Sequence, residues 1–203
     1  MEQSSRRATL SDEKRNEEAR KLLMHEVDHR ARNVLSIVHS LTRLTRADDL
    51  ETYKEVLTGR ISALARAQTS LANRRWEGGR LEDVVREELE ALCTKDSIDV
   101  RGPEVALAPE KVQPISMLLH ELATNANKYG ACSRVDGRVS VTWTLEGRRV
   151  VLQWRETGGP QVVAPTREGF GSSLKASVVR QIEGTISRTW EPTGLVVEVA
   201  FPL

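Results

Sequence analysis

The sequence predicts an α+β protein in which a helical hairpin is followed by an α/β sandwich. Proline is absent before Pro103, and the first glycine is Gly59. Apolar residues in this early part recur at steps of three and four, as they do on one face of a helix. After Glu77 the pattern changes to helical segments interleaved with segments in which apolar and polar residues alternate, as in half-buried strands. Such interleaving is typical of helices packed on one face of a mixed sheet.

The hairpin begins with a helix whose apolar seam starts near Leu23. Arg30 occupies one position of this seam, and its other members are Val27, Val34, Ile37, Leu41 and Leu44. Asp49 is a suitable cap for a second helix. That helix is expected from about Leu50 to about Asn73, with an inner side made of Val56, Leu57, Ile61, Leu64, Ala65 and Leu71. Two such helices leave an apolar stripe uncovered, which predicts a homodimer with a four-helix bundle. The alternative is a monomer whose hairpin packs on its own α/β domain.

Residues 1–77 therefore form the predicted hairpin domain, and residues 78–203 form the predicted α/β domain. The second domain is expected to contain helices over Arg80–Thr94, Pro109–Tyr129 and Ser172–Ile182. Proline opens the second of these helices and Gly130 closes it. Strands are expected over Ser97–Arg101, Val139–Leu145, Arg149–Glu156, Thr185–Trp190 and Leu195–Phe201, with a loop over Gly158–Gly171.

The composition indicates a globular protein with no nucleic-acid partner. Apolar residues make up 39% and charged residues 29% of the chain, and the formal net charge is +1. Such a small charge creates no strong field toward nucleic acid or an anionic membrane. Cys93 and Cys132 are too few for a disulfide framework and are typical of a reducing cytosol. No apolar run approaches the about 20 residues that span a bilayer. We therefore expect a cytoplasmic protein, with any upstream sensor domain outside this chain.

The segment His120–Gly130 has the strongest chemical pattern. On a helix, Glu121, Asn125 and Lys128 lie at i, i+4 and i+7 and project from one face. Carboxylate and amide oxygens suit Mg²⁺, which prefers hard oxygen ligands, and a lysine offsets phosphate charge. A solvated helix face would show the same spacing, so this segment alone leaves both interpretations open.

Two further patterns follow, and each is weak when taken alone. Glu156 ends a strand just before Gly158, where its carboxylate can accept a hydrogen bond from an adenine amino group and the glycine lets backbone approach the ring. Gly169 and Gly171 precede Ser172 at the start of a helix, whose first N–H groups can face phosphate oxygens. The order and spacing of all three patterns are hard to reach by chance.

These three stretches resemble the N, G1 and G2 boxes of the Bergerat-type ATPase superfamily, which includes gyrase, heat-shock chaperones and histidine kinases. His120, Trp154 and Glu156 are similar to the residues that give the HWE histidine kinases their name. The segment from Leu23 to Asn33 resembles the phosphoacceptor box of that family, so the resemblance covers the chain from roughly Leu22 to its end. It implies a Bergerat-type sandwich with ATP and Mg²⁺ as cofactors. The implied nucleotide site contains His120, Glu121, Asn125, Lys128, Glu156, Gly158, Gly169, Gly171 and Ser172, with Asn125 as the Mg²⁺ ligand and Lys128 on the phosphates.

His29 is the predicted phosphoacceptor. The helical register places His25, His29 and Asn33 away from the apolar seam, and His25 is a rival because His25 and Glu26 mimic the start of the other large kinase family. Imidazole is largely neutral at pH 7, with an ordinary pKa of about 6.5, so it needs orientation more than deprotonation. Glu26 and Asp28 are both candidates to orient it, although Asp28 stands where the family has Asn. Asn33 is placed to orient a water for dephosphorylation of the regulator.

The sequence therefore predicts the core of a sensor histidine kinase in a two-component system. It would take phosphate from ATP onto His29 and pass it to an Asp in the receiver domain of a response regulator. One alternative is a histidine phosphotransferase whose degenerate second domain does not bind ATP. A Ser/Thr kinase of the anti-sigma type is another alternative on the same fold, but it predicts no acceptor histidine in a dimerising hairpin.

Overall fold

The structure is a computed structural model, and it describes residues 17, 24, 27–28, 31–47, 49–73, 77–161 and 178–203. The described part of the first helix, α1, consists of residues 24, 27–28 and 31–44. The chain divides into two compact units, Met1–Arg43 and Leu44–Leu203. The second hairpin helix therefore lies in the same compact unit as the sheet. The functional boundary after residue 77 stays a prediction.

Helix α2 spans Leu50–Asn73, which confirms the predicted bounds. Asp49 caps it, because its carboxylate accepts the Thr52 N–H at 2.8 Å and the Thr52 hydroxyl at 2.5 Å. The side-chain hydrogen bond from Thr52 lowers the pKa of Asp49 below its ordinary value. The prediction of the inner face is partly wrong, since Ile61 is 38% exposed and Ala65 is exposed as well. The buried residues are Arg60, Ala63, Leu64, Ala67 and Leu71. A buried ion pair formed by Arg60 brings a charged residue onto this face and rotates Ile61 outward.

Two helices of the α/β part pack on one face of the sheet. Helix α3 spans Leu81–Glu90 and α4 spans Pro109–Lys128. Helix α3 ends four residues earlier than predicted because the N–H groups of Leu92 and Cys93 both bond to the carbonyl of Leu89, which tightens the last turn. Helix α4 begins with Pro109, as predicted, and ends one residue before the predicted Tyr129. Residues 178–181 are helical, and the rest of the predicted helix Ser172–Ile182 before residue 178 lies outside the described residues.

A mixed five-stranded sheet forms the other layer, which confirms the predicted α+β class. Its strands are β2 (Ile98–Arg101), β4 (Arg138–Glu146), β5 (Arg149–Thr157), β6 (Thr185–Glu191) and β7 (Gly194–Pro202). Their order is β2-β4-β5-β7-β6, and only β2 and β4 pair in parallel. A short ladder between β1 (Gly79–Arg80) and β3 (Ala106–Leu107) was not predicted, since two-residue strands carry no alternation to detect.

Alternation along the strands builds the core. Every second residue is buried along β5 and along β4 from Val139 to Trp143, whereas Leu145 of β4 is exposed. Trp154 is completely inaccessible to solvent. The apolar faces of α3 and α4 cover these residues with Leu81, Val85, Leu89, Leu119 and Leu122, all at most 1% exposed. Burying a large apolar side chain contributes about 1.5–3 kcal/mol. This core fixes the positions of the C-terminal half of α4 and the end of β5.

The two cysteines are joined, which differs from the expectation for a reducing compartment. A disulfide links Cys93, in the turn after α3, to Cys132, with 5.5 Å between the Cα atoms. The residues are 39 positions apart in the chain, so only the fold brings them within disulfide range. Within the described parts of the chain, no helix is both long enough and apolar enough to cross a membrane.

Candidate nucleotide site

The C-terminal end of α4 and the turn after it meet the end of β5, the central strand of the sheet. The turn that leaves α4 contains a short 3₁₀ segment, Ala131–Ser133, which touches the end of β5. This arrangement brings the predicted N-box residues of α4 close to Glu156, the last inward-facing residue of β5. The first and second of the three sequence patterns therefore belong to one place in the fold.

Glu156 is a buried carboxylate with fixed orientation. It is 4% exposed, one oxygen accepts the indole N–H of Trp154 at 3.1 Å, and the other accepts the backbone N–H of Ala131 at 2.9 Å. Trp154 lies two residues earlier on β5, so both side chains face inward. A buried charge is tolerated when hydrogen bonds compensate for the lost hydration. The Trp-x-Glu pattern thus serves as a unit in which the tryptophan positions the carboxylate.

Glycines allow the backbone to approach this carboxylate. A Cβ added at Gly130 would lie 2.0 Å from Glu156 Oε2, and one added at Gly158 would lie 2.6 Å from the carbonyl oxygen of Asp136. Gly158 also has a φ of +68°, which side-chain-bearing residues rarely adopt. Sequence reasoning assigned Gly130 only to helix termination. Its contact with Glu156 could not be found from sequence, because the two residues belong to different elements.

Glu121 is engaged by an arginine from α2. Arg60 donates from Nε to Oε1 at 2.6 Å and from Nη2 to Oε2 at 2.9 Å, and its third nitrogen bonds the Thr45 hydroxyl at 2.8 Å. The Arg60 and Glu121 side chains are 6% and 9% exposed. Such a two-pronged pair fits the planar guanidinium to the planar carboxylate. In this structure both Glu121 oxygens therefore bond to protein, and the side chain does not project to solvent with Asn125 and Lys128.

His120 belongs to a second buried cluster, with Glu88 of α3 at its centre. Its Nδ1 lies 3.2 Å from Glu88 Oε2, which also accepts from Arg66 of α2 at 2.6 Å, while Glu88 Oε1 accepts from Ser116 at 2.6 Å. The Glu88 carboxylate offers only acceptors, so we assign a proton to Nδ1 of His120. With that proton in place, the 3.4 Å contact between Arg66 and His120 Nδ1 is a contact between two donors, not a hydrogen bond.

The Glu88 cluster keeps that carboxyl charged. Burial pushes its pKa up, but hydrogen bonds from His120, Arg66 and Ser116 together outweigh this effect, so the pKa lies below the ordinary value of 4.5. The same cluster joins α2, α3 and α4 at one point. Arg60, Arg66 and Glu88 were missed by sequence reasoning, because charged residues on predicted helices are most often solvated.

Asn125 and Lys128 are more accessible than Glu121. Asn125 is half-buried, and Lys128 Nζ forms an ion pair with Glu55 of α2 at 2.9 Å, with the two side chains 29% and 67% exposed. Among the described residues, no group of three or more His, Cys, Asp or Glu side chains is arranged to hold a metal ion. The assignment of Asn125 as a Mg²⁺ ligand stays a prediction.

The predicted acceptor region is described only in part. Asp28 and Asn33 are helical and exposed. His29, its rival His25 and Glu26 lie outside the described residues, as do Gly169, Gly171 and Ser172 of the third pattern. Their roles stay predictions.

Two solved structures of a histidine kinase have a fold similar to that of this chain. The blue-light activated histidine kinase of Erythrobacter litoralis matches 88% of this chain and 58% of its own, with a TM-score of 0.68 and 20% identity. Its separate histidine kinase domain matches 86% of this chain and 94% of its own, with a TM-score of 0.61 and 16% identity. At these identities the likeness concerns the fold, which is the fold of a histidine kinase core.

Sequence comparison narrows the class to a family. Residues 26–104 match the HWE histidine kinase family. The blue-light-activated histidine kinase of Rhizobium johnstonii is 36% identical over 183 residues, which cover 89% of this chain and 53% of that protein. Blue-light-activated histidine kinase 1 of Erythrobacter litoralis is 32% identical over 200 residues, which cover 94% of this chain and 56% of that protein. Residues 26–104 carry the match to the HWE histidine kinase family, and the chain spans about half the length of the curated relatives it matches.

Proposed function

We propose that this chain is a protein-histidine kinase that phosphorylates His29 from ATP and passes the phosphoryl group to an Asp of a response regulator receiver domain. The observation that supports it most is the buried Glu156 carboxylate, oriented by Trp154 and Ala131 at the end of β5. A carboxylate is buried at a strand end beside glycines, where a purine ring can be approached closely. The match to the HWE histidine kinase family supports the same activity.

Glu156 selects the base in this proposal. Carboxylate oxygens can each accept more than one hydrogen bond, so an adenine amino group can join the donors from Trp154 and Ala131. A guanine carbonyl at the same place would meet the carboxylate unfavourably, because both are acceptors. Gly130 and Gly158 let the protein backbone pack closely around Glu156, and Gly169, Gly171 and Ser172 shape the loop around the phosphates.

Asn125 and Lys128 act on the phosphates. Asn125 supplies an amide oxygen to Mg²⁺, and bound Mg²⁺ neutralises charge on the phosphoryl group being transferred. Lys128 exchanges Glu55 for a phosphate oxygen. Breaking the Lys128–Glu55 ion pair costs little free energy, because a pair this exposed contributes only about 0–1 kcal/mol to stability.

His120 and Glu121 take positioning roles instead of the ligand roles implied by the resemblance. Their buried partners, Glu88 and Arg60, come from α3 and α2. Through these partners the two residues hold α4 in a fixed orientation against α2 and α3. This orientation sets the positions of Asn125 and Lys128.

The hairpin carries the acceptor. We assign residues 1–77 to dimerisation and phosphotransfer and residues 78–203 to nucleotide binding, with the exposed α1 seam residue Val27 at the contact between two copies. Glu26 or Asp28 orients the His29 ring, and Asn33, which is exposed, orients a water when the regulator is dephosphorylated. Phosphoryl transfer itself depends mainly on positioning and charge neutralisation.

Labelling with γ-labelled ATP and Mg²⁺ tests the proposal. His29→Ala should abolish labelling, while the matched variants His25→Ala and His39→Ala should retain most of it. The label should be lost in acid and kept in base, as a phosphoramidate is. Loss of label in His25→Ala but not in His29→Ala would identify His25 as the phosphoacceptor instead. If the wild-type protein binds neither ATP nor ADP at millimolar concentration, the kinase proposal fails and the phosphotransferase alternative replaces it.

A further inference from the structure

The Cys93–Cys132 disulfide lies directly beside the residue that holds Glu156. Cys132 follows Ala131, whose backbone N–H donates to Glu156 Oε2 at 2.9 Å. Cys93 is 8% exposed, in the turn after α3, whereas Cys132 is partly accessible. The disulfide therefore ties the turn that contacts Glu156 to the end of a core helix.

Close packing makes the position of this turn important to the site. A Cβ added at Gly159 would lie 2.9 Å from the Ala131 nitrogen, and one added at Gly137 would lie 1.8 Å from the Ala131 carbonyl oxygen. The Ala131 turn therefore packs both against the residue that precedes β4 and against the segment that follows β5. A shift of Ala131 would move the donor to Glu156 and the backbone beside Gly158 and Gly159.

We propose that Cys93 and Cys132 form a reversible redox switch that sets the affinity of the Glu156 site for adenine nucleotides, an inference that rests on the proposed function. The oxidised pair holds Ala131 against Glu156 before nucleotide arrives. In the reduced protein the turn must be ordered at the moment of binding, and this ordering cost weakens affinity.

A reversible disulfide explains these two cysteines better than a permanent structural disulfide does. A unit the size of Leu44–Leu203 builds a sufficient core without covalent help. Disulfides that form in proteins of a reducing compartment are usually transient and sense the redox state. The described residues contain no further cysteine that could compete for the bond.

The chemistry is thiol–disulfide exchange with a low-molecular-weight disulfide such as oxidised glutathione. The Cys132 thiolate, the more accessible of the two, attacks one sulfur of that disulfide, forms a mixed disulfide and releases one thiolate. The Cys93 thiolate then attacks the Cys132 sulfur, forms the Cys93–Cys132 bond and releases the second thiolate. The two protons of the protein thiols pass to the two released thiolates. Two electrons pass from the protein sulfurs to the small disulfide, which is reduced to two thiols.

ADP titration of the whole chain in two redox buffers tests the switch, because ADP binds without turnover. Wild-type protein is oxidised with glutathione disulfide or reduced with dithiothreitol, and mass spectrometry after alkylation counts the free thiols. We expect the oxidised form to bind ADP about three- to tenfold more tightly, the size expected for ordering one short turn. The double variant Cys93→Ala, Cys132→Ala should bind equally in both buffers, with the affinity of reduced wild type.

Circular dichroism checks that each form is folded at the titration temperature, and Cys132→Ser replaces the double variant if that variant does not fold. Equal, measurable ADP affinity of oxidised and reduced wild type overturns the switch and leaves the proposed function standing. The switch is equally overturned if both thiols stay free in glutathione disulfide, or if the double variant shows the same buffer effect. Absence of ADP binding in both wild-type forms overturns the proposed function and the switch together.

Discussion

At the scale of single residues, Glu156 shows how the fold can orient a side chain that we propose to bind the base. Its carboxylate is 4% exposed and bonded to Trp154 and Ala131. Desolvating a carboxylate is costly unless donors compensate. Two donors already fixed by the fold leave its orientation set before a base binds. Asn125, in contrast, is half-buried and can adapt to a metal.

This contrast predicts different losses from substitutions at the two positions. Glu156→Ala should weaken ATP and ADP alike, by about 1.5–3 kcal/mol, as expected for a hydrogen bond to a charged group. Asn125→Ala should remove mainly the Mg²⁺-dependent part of binding and stop phosphorylation. Calorimetric titration of each variant with ATP and ADP, with and without Mg²⁺, measures both effects. Asn127→Ala, at an exposed position of the same helix, is the matched control and should change neither.

Glu88 carries the clearest pH signature. Because its pKa in the folded protein lies below the ordinary 4.5, its charged form stabilises the fold at pH values above 4.5, and this contribution is lost as the pH falls through the folded pKa. The groups that face it are Arg66, His120 and Ser116. Protonation would remove the charge that these donors bind.

Glu88→Gln should therefore lower the free energy of unfolding at neutral pH and flatten its acid dependence. We expect a loss of about 1–3 kcal/mol at neutral pH, since Gln places a donor where acceptors are needed. The difference from wild type should shrink below pH 4.5, the ordinary glutamate value. Urea denaturation across this range measures it, with Glu90→Gln, exposed at the end of α3, as control. A difference that stays constant with pH would contradict the assignment.

At the scale of elements, two ion pairs between α2 and α4 have opposite consequences. Arg60–Glu121 is almost fully buried, whereas Lys128–Glu55 is largely exposed. Removing one partner of a buried pair leaves an uncompensated charge and costs about 3–5 kcal/mol. An exposed pair contributes about 0–1 kcal/mol. The first pair therefore holds α2 on α4, and the second can be exchanged.

Arg60→Ala should destabilise the protein by about 3–5 kcal/mol, and the double variant Arg60→Ala, Glu121→Gln should recover part of that loss, because the uncompensated charge is gone.

Glu55→Gln should leave stability within about 0.5 kcal/mol of wild type. It should also strengthen ATP binding, because Lys128 no longer has a competing carboxylate. Thermal denaturation and ATP titration measure these effects. Glu51→Gln, in the exposed pair with Lys54 on the same helix, is the control that should not affect ATP. Unchanged ATP affinity in Glu55→Gln would contradict the exchange of Lys128.

At the scale of the whole molecule, the disulfide constrains the unfolded chain. It closes a loop between residues 39 positions apart. Chain-entropy estimates give about 4 kcal/mol for a loop of this length, and observed stabilisation is typically about 2–4 kcal/mol. Reduction should lower the free energy of unfolding by that smaller range. Urea denaturation with and without dithiothreitol measures it, and the double variant Cys93→Ala, Cys132→Ala should show no response to the reductant.

The sequence by itself determined most helices and strands of this protein and its resemblance to the HWE histidine kinases. Bounds such as Leu50–Asn73 followed from a cap and a helical period, and strand alternation located β4, β5, β6 and β7. These signals depend only on residues close together in the chain, so they are present in any fold that buries one face of the helix or strand. The boxes around His120 and Glu156 pointed to the same family that residues 26–104 match.

Tertiary structure alone decided which of these residues face each other. It paired Glu121 with Arg60, 61 positions earlier, and Glu156 with Ala131, 25 positions earlier, and it joined the two cysteines. Sequence reasoning placed Glu121 on one helix face with Asn125 and Lys128, because helical spacing defines a common face but not what covers it. Such contacts depend on how layers stack. That stacking is fixed by the packing of the whole core, not by the period of any one segment.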